Sequence, residues 1–412
     1  MSAVDVGATW AGTHTFRAAG LVVPRTIDEA AELVASHERI RALGTRHSFN
    51  DLADGETLIS MLEIDPGFEL DERRAEVTVG AGTRYGVLAA WLHERGWALK
   101  NMGSLPHISI GGANATATHG SGDRNGVLAT SIAAIELITA GGEIRRVARG
   151  DEGFEGSVVS LGALGVAARV TLDVVPAFDM RQDVFHAVPW EAVLEHLDEL
   201  TGCGYSVSVF TIWDEPALAR VLVKSRIDDG APEELFGVRA ARPAPPEPFD
   251  NRTPKGGAPG PWLERLPHFR LDRVPSNGDE IQSEYFVDRA HGSAAIAAVR
   301  ELAADIAPCL ITTELRTTAA DELWLSMAHG RASLGIHFTW RNLPAEVHAL
   351  IPRIEAALAP FAARTHWGKV HAMTADRIRP LYPRMPDFLA LRERMDPARK
   401  FDNAHLRRVL GT

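Results

Sequence analysis

The sequence predicts an α+β protein of two domains, and three observations carry that prediction. The chain has 412 residues, more than one ordinary hydrophobic core encloses. Its first half alternates helical periods with strands and glycine-rich turns. Its second half contains strands in which polar and apolar side chains alternate.

The elements follow in order. Thr26-Ile27-Asp28-Glu29 has capping-box spacing, and Ala30, Ala31 and Val34 continue at helical period. Ile40 to Leu43 reads as a short strand entering a turn at Gly44. Ala75 to Val79 alternates as a strand and stops at Gly80-Ala81-Gly82, and Tyr85 to Leu92 reads as a helix. Ala133–Thr139 and Ile144–Val147 flank Ala140-Gly141-Gly142-Glu143, a hairpin signal. Ser160 to Val166 leads into a strand over Ala168–Val174, and this α+β unit closes near Val175-Pro176. Tyr205 to Phe210 opens the second half as an alternating strand, and Pro243 to Pro261 reads as a long loop.

Three later segments share a pattern. Thr312, Glu314 and Arg316 fall on one side of a strand, as do Gly335, His337 and Thr339 of the next. In His366-Trp367-Gly368-Lys369-Val370 the same period sends Trp367 and Lys369 one way and His366 the other. If these strands share a sheet, it has a greasy face for helices and a polar face carrying Glu, Arg, His, Thr and Lys.

Composition narrows the function. Formal charge is 43 − 54 = −11, which argues against nucleic acid and acidic membranes and fits a small neutral substrate. Cys203 and Cys309 are the only cysteines, too few for a disulfide framework or thiolate cluster. Met1 to Ala8 lacks the basic start and apolar core of a signal peptide, and the Val158–Val175 run is broken by Arg169 and Asp173. The cytoplasm is therefore the expected location, and the Asn251-Arg252-Thr253 sequon is expected to be silent. The 16 histidines show no His-x-x-x-His or His-Glu spacing around His107 and His119, so no metal is expected.

Two small-residue loops stand out: Gly44-Thr45-Arg46-His47-Ser48, and Gly111-Gly112-Ala113-Asn114-Ala115-Thr116-Ala117-Thr118-His119-Gly120-Ser121-Gly122. Glycine brings backbone N–H groups close to an anion, and His47 can serve as a nucleophile. With these go Met102 to Ser109, Ser160 to Gly165, Gly260 to Phe269, Glu314-Leu315-Arg316, His337 to Trp340, His366 to Val370 and Asp396 to Asn403.

Across these motifs the chain resembles the vanillyl-alcohol oxidase flavoprotein family and, within it, the bacterial oxidases of alditols. The resemblance implies a PCMH-type FAD-binding domain over 1–176. A substrate (cap) domain over 177–395 has a large antiparallel sheet flanked by helices, and a 396–412 segment returns to the first domain. It implies FAD bonded covalently through His47. Gly44, Thr45, Arg46 and Ser48 hold the pyrophosphate side, and Gly103, Ser104, Ser109, Gly111, Gly112, Thr116, Thr118, His119 and Gly120 line the other flank and ring edge. Gly162 and Val166 receive the adenine. Many relatives carry glycine before the histidine. Arg46 stands there instead, in a loop expected not to need positive φ, and adds charge near the pyrophosphate. Neither cysteine lies near Ser104–Thr118, so one tether is expected. Gly103, lacking a Cβ, is expected to leave the ring open to O₂.

For the substrate, the resemblance implies a polyol (xylitol or sorbitol) held by Ser104, Glu314, Arg316, Thr339 and Lys369. Lys369 stabilises the developing alkoxide, His337 is a candidate proton acceptor, and Arg316 donates across neighbouring hydroxyls. O₂ becomes H₂O₂, and the protein is expected to be a monomer. Two alternatives stand beside this: an aldonolactone oxidoreductase of the same architecture, and a non-catalytic flavin- or sugar-binding protein.

Overall fold

Helix Ile27–Ser36 starts where the spacing places it, with the Thr26 hydroxyl accepting from the Glu29 amide at 3.1 Å. The Glu29 carboxylate reaches back one residue further than the capping box requires, to the Arg25 amide at 2.7 Å. The computed structural model describes residues 6–242, 251–275 and 278–411. The start of the Met1–Ala8 stretch and part of the Pro243–Pro261 loop lie outside them.

The first half builds two small sheets. Strands Gly20–Val22, Thr57–Ser60 and Arg41–Leu43 pair in parallel in that order. Five antiparallel strands follow in the order Glu69–Asp71, Glu76–Gly80, Val166–Asp173, Ile132–Ile138 and Ile144–Ala148. Val77, Val79, Ile135, Val170 and Leu172 alternate inward, against helix Tyr85–His93 through Leu88 and Leu92. Val175–Pro176 pairs with Trp97–Ala98, and the next strand, Asp179–Val188, belongs to a different sheet.

That sheet has eight strands, all paired antiparallel: Gly260–Pro261, Asp179–Val188, Leu218–Arg226, Ser206–Thr211, Leu310–Thr318, Ser333–Arg341, Glu280–Asp288 and Arg364–Thr365. Its odd-numbered central residues Val207, Val209, Val221 and Val223, with Leu315, Ile336 and Phe338, pack beneath helices Gly292–Arg300 and Pro344–Leu358. The opposite face turns toward the first half.

The chain returns to the first-half core well before residue 396. Met373, Ile378, Tyr382, Phe388, Leu391 and Met395 already pack with Val77, Leu88 and Val170. Helix Ala404–Leu410 completes the return, capped by Asn403, whose Nδ2 donates to the carbonyls of Leu52 and Asp54 at 2.8 and 2.7 Å. The buried Arg41 guanidinium ties the same region together by donating to Leu52, Leu161, Gly162 and Phe401 carbonyls.

Candidate active site

One cavity runs between the two halves. Gly44–Ser48, Ser109, Gly111, Gly112, Thr116, Thr118 and Gly162 line it on one side, and Thr312, Glu314, Arg316, His337, Thr339 and Lys369 on the other, with Ser104 and His119 between. The two walls are clasped. The Phe49 amide donates to the Gly368 carbonyl at 2.7 Å, and Asn50 Nδ2 donates to Trp367 and Lys369 carbonyls at 2.9 and 2.8 Å. In return the amides of His268 and Phe269 donate to the Ser104 carbonyl.

The first wall is mostly backbone. A Cβ on Gly44 would lie 2.5 Å from Ser109 Oγ, and one on Gly112 would lie 3.0 Å from it, so both loops approach closer than side chains allow. The Ser109 amide donates to Thr45 Oγ1 at 3.1 Å, fixing one loop on the other. His47 stacks on Trp10 with ring centroids 5.7 Å apart, and its Nδ1 lies 3.0 Å from Thr45 Oγ1. Its Nε2 is buried with no hydrogen-bond partner among the described residues. Burial, with help from His107 and Arg84, pushes this imidazole down to about 4, so the ring is neutral.

Arg46 departs from expectation. Its φ is 64°, in the left-handed region that glycine adopts freely and other residues do not. The loop does require that conformation. Arg46 holds it with a bond from its guanidinium to the Val6 carbonyl at 2.8 Å.

The second wall is made of ionisable side chains, brought together by strand register. Phe210 pairs with Glu314, Glu314 with His337, and His337 with Glu284, as direct neighbours on four adjacent strands. Glu314, Arg316, His337 and Thr339 are buried, so this face is enclosed by the first half and not bathed in solvent. Glu284 is fully buried at its centre. Lys369 Nζ lies 2.5 Å from its Oε2, Arg316 Nη2 2.9 Å and His119 Nε2 3.2 Å from its Oε1, and His337 Nδ1 3.5 Å from Oε2. Burial raises this carboxyl group's affinity for a proton, but the surrounding cations, Lys369 foremost, win and hold it well below the usual range. His337 accepts from Lys369 Nζ at Nδ1, 2.6 Å, and its Nε2 meets Thr339 Oγ1 at 3.1 Å. Burial and then Lys369 push His337 down to about 4. Arg316 Nη1 donates to Ser104 Oγ at 3.2 Å. Glu314 Oε1 and Arg316 Nε make no hydrogen bond among the described residues; they face each other at 3.8 Å, and His268 Nε2 lies 3.3 Å from Oε1. Such groups are costly to leave unpaired.

Four expectations need correction. The strand carrying His366 ends at Thr365, and residues 366–369 form a turn closed by the Lys369 amide on the His366 carbonyl. Two-residue alternation therefore stops, His366 and Lys369 both line the cavity, and Trp367 packs away against Tyr382. Gly103 itself does not line the cavity, and a Cβ there would make only ordinary 3.6 Å contacts with His119 O, Ile108 and Thr118, which do line it. Gly120 lies behind the wall too, where a Cβ would strike Asn101 and the Met102 carbonyl. Val166 sits in the core beside Val34 and Phe401, and its neighbours Gly165 and Ala167 take the wall positions.

The sequence reading missed Glu284, His268 and His366. Glu284 had a signal, since Glu280, Gln282 and Glu284 alternate along one strand. His119, Glu284 and His366 place one ligand atom each within 4.8 Å of the others, a spacing open to a metal ion. Arg316 and Lys369 already match the Glu284 charge there, and a third cation would meet their repulsion.

Comparison with known proteins fits this geometry. An FAD binding domain model matches residues 18–148, and a D-arabinono-1,4-lactone oxidase model matches 277–409. The chain is 43% identical to an alditol oxidase of Streptomyces sp. over 97% of its own length and 98% of that protein. The chain belongs to the vanillyl-alcohol oxidase flavoprotein family. Within this family of FAD oxidoreductases it is also 32% identical to an L-gulono-1,4-lactone dehydrogenase of Mycobacterium tuberculosis, over 98% of this chain and 99% of that one. The crystal structure of cholesterol oxidase from B. sterolicum matches with a TM-score of 0.78 at 14% identity, covering 98% of this chain and 96% of that one. That likeness shows the shared two-domain FAD-binding fold. Among the described residues no helix is long and apolar enough to cross a membrane.

Proposed function

We propose that this protein oxidises the terminal primary hydroxyl of an alditol such as xylitol or sorbitol to the aldose, with FAD tethered at His47 and O₂ as the final acceptor. Residues 1–176 form the FAD domain, and a substrate domain follows to about residue 372, where the chain turns back. The unpartnered Nε2 of His47, the close approach of Gly44 and Gly112 to Ser109, and the carbonyl-pinned turn at Gly162 fit the flavin. Held by these residues, FAD would supply the hydride acceptor for the terminal carbon, with O₂ as the final two-electron acceptor reduced to H₂O₂.

The observation that carries the substrate reading is a loose buried ion pair on the cavity wall, Glu314 Oε1 and Arg316 Nε, 3.8 Å apart and neither making a hydrogen bond among the described residues. A chain of hydroxyls satisfies both, accepting from the guanidinium and donating to the carboxylate. Ser104 and Thr339 supply hydroxyls to the same chain. Lys369, as an ammonium ion, stabilises the developing alkoxide. His337 is neutral near pH 7, and its Nδ1, which accepts from Lys369 Nζ, takes the hydroxyl proton once the ammonium turns from it to the developing alkoxide.

The match of the D-arabinono-1,4-lactone oxidase model to 277–409, which spans Glu284, Glu314, His337 and Lys369, favours an aldonolactone as the second reading. Anaerobic addition of xylitol or sorbitol should bleach the yellow flavin, and readmitted air should restore it with stoichiometric H₂O₂. Bleaching by L-gulono-1,4-lactone alone would select the second reading, and bleaching by neither would reject both.

A further inference from the structure

Glu284 has no role in the chemistry proposed so far, yet Lys369, Arg316, His337 and His119 are all arranged around it. Its two oxygens divide the work. Oε1 takes Arg316 at 2.9 Å, and Oε2 takes Lys369 at 2.5 Å. Its backbone carbonyl accepts from the His366 amide at 3.0 Å. The same residue thus holds, through its main chain, the turn on which Lys369 rides, and through its side chain the Lys369 charge.

We propose that Glu284 is a positioning residue for the oxidation, one that keeps Lys369 an ammonium ion aimed at the cavity and thereby keeps His337 unprotonated. The proposal rests on polyol oxidation as described above.

The physical case is a competition. An ammonium group removed from water gives up its proton unless an opposite charge stands close. Lys369 faces Glu284, Arg316, Glu314, His337 and His366. Burial and Arg316 act to discharge it, and Glu284 is the largest influence in the other direction, with Glu314 weaker and more remote. The balance already lies below an ordinary lysine. Without the Glu284 charge, nothing of comparable strength keeps the proton on Nζ. A neutral Lys369 no longer stabilises an alkoxide. It also no longer suppresses protonation of His337 at the nitrogen they share.

Glutamine at this position keeps the shape, and its carbonyl can still accept from Arg316. Its amide nitrogen, however, presents donors to the Lys369 donors. In Glu284→Gln, anaerobic flavin reduction by xylitol at neutral pH should slow on the order of a hundredfold, as for removal of one partner of a buried ion pair. Equilibrium xylitol binding should change far less. The pH profile supplies the sign. Lys369 must be protonated to work, and losing Glu284 lowers its pKa, so the alkaline limb of the reduction rate should move to lower pH. A purely structural role would lower the rate without moving that limb. Reduction at the parental rate, or a lowered rate with the limb in place, would overturn the proposal.

Glu284→Gln leaves Lys369 and Arg316 with one buried anion fewer and can impair folding. The Glu284→Gln/Lys369→Met double variant removes one charge of each sign and avoids that imbalance. If Glu284 acts through Lys369, the double variant should be reduced no more slowly than Lys369→Met alone. A further multiplicative loss would overturn the proposal. Bleaching of the parent by xylitol is the control. Its absence would remove the polyol reading itself, whatever the variants do.

Discussion

The wall contributed by the first half is built from main chain: Gly44, Gly111, Gly112 and Gly162, with hydroxyls on Thr45, Ser109 and Thr116. The wall contributed by the eight-stranded sheet and the turn that follows it is built from charge: Glu314, Arg316, His337 and Lys369 line it, with Glu284 buried directly behind them. The first is suited to an anion that approaches bare backbone, and at Gly44, Gly111 and Gly112 it tolerates little added volume. The second encloses two carboxylates, a guanidinium and an ammonium away from water, where each is stable only because the others are present. A substitution on the first wall should therefore act on cofactor retention, and one on the second on turnover.

The sharpest separation comes from His47. In the parent protein, acid precipitation should leave flavin on the chain, and His47→Ala should release it entirely. The substrate wall would remain assembled in that variant, since none of its ion pairs touches His47. Free FAD in the acid supernatant of the parent would rule out the tether.

Arg316→Ala and Glu314→Gln probe the other wall, and their effects should be unequal. Arg316 donates to Glu284 and Ser104, so truncation leaves a buried carboxylate short of a partner. A loss of about 3 kcal/mol or more in xylitol turnover is expected. Glu314 keeps its shape as glutamine and loses one charged acceptor, for about 1–3 kcal/mol. Flavin content should match the parent in both. Equal losses, or loss of flavin, would mean that the two walls are not separable in this way.

The same contrast explains what could be read from the sequence. The backbone wall lies in two contiguous glycine-rich stretches, so local composition reveals it. Glu314, Arg316, His337 and Thr339 were legible because a strand's two-residue period is a strict rule. Lys369 was assigned to the right wall for the wrong reason, since the strand stops at Thr365 and a turn carries the side chain there. Glu284 lies on a strand that pairs with His337 from a distant part of the chain. Its alternation with Glu280 and Gln282 marks a strand face, but neither its burial nor its four basic neighbours can be read from local sequence. Gly120 shows the converse. Glycines inside a recognised motif need not touch the cavity, because some serve packing behind it.

Arg46 tests the backbone wall at its weakest point, and the expected effect is small because opposing terms nearly cancel. Its φ of 64° costs a non-glycine residue about 1–2 kcal/mol, which Arg46→Gly would relieve. Glycine in turn adds unfolded-state entropy, about 0.5–1 kcal/mol. The substitution also removes the guanidinium bond to the Val6 carbonyl, for about 1.5–3 kcal/mol. That guanidinium packs so close to Gly7 that a Cβ there would lie 2.8 Å from it, so it holds the N-terminal segment over the loop. The Arg46 carbonyl also accepts from the Trp10 amide, and Trp10 stacks on His47; glycine keeps that bond. The sum is a net destabilisation of about 1.5 kcal/mol, with the tether intact, seen as a slightly lower thermal midpoint and unchanged covalent flavin. A stabilised variant would mean that backbone strain outweighs the Val6 contact. Loss of covalent flavin would mean that the arginine, and not the loop's backbone, sets the position of His47.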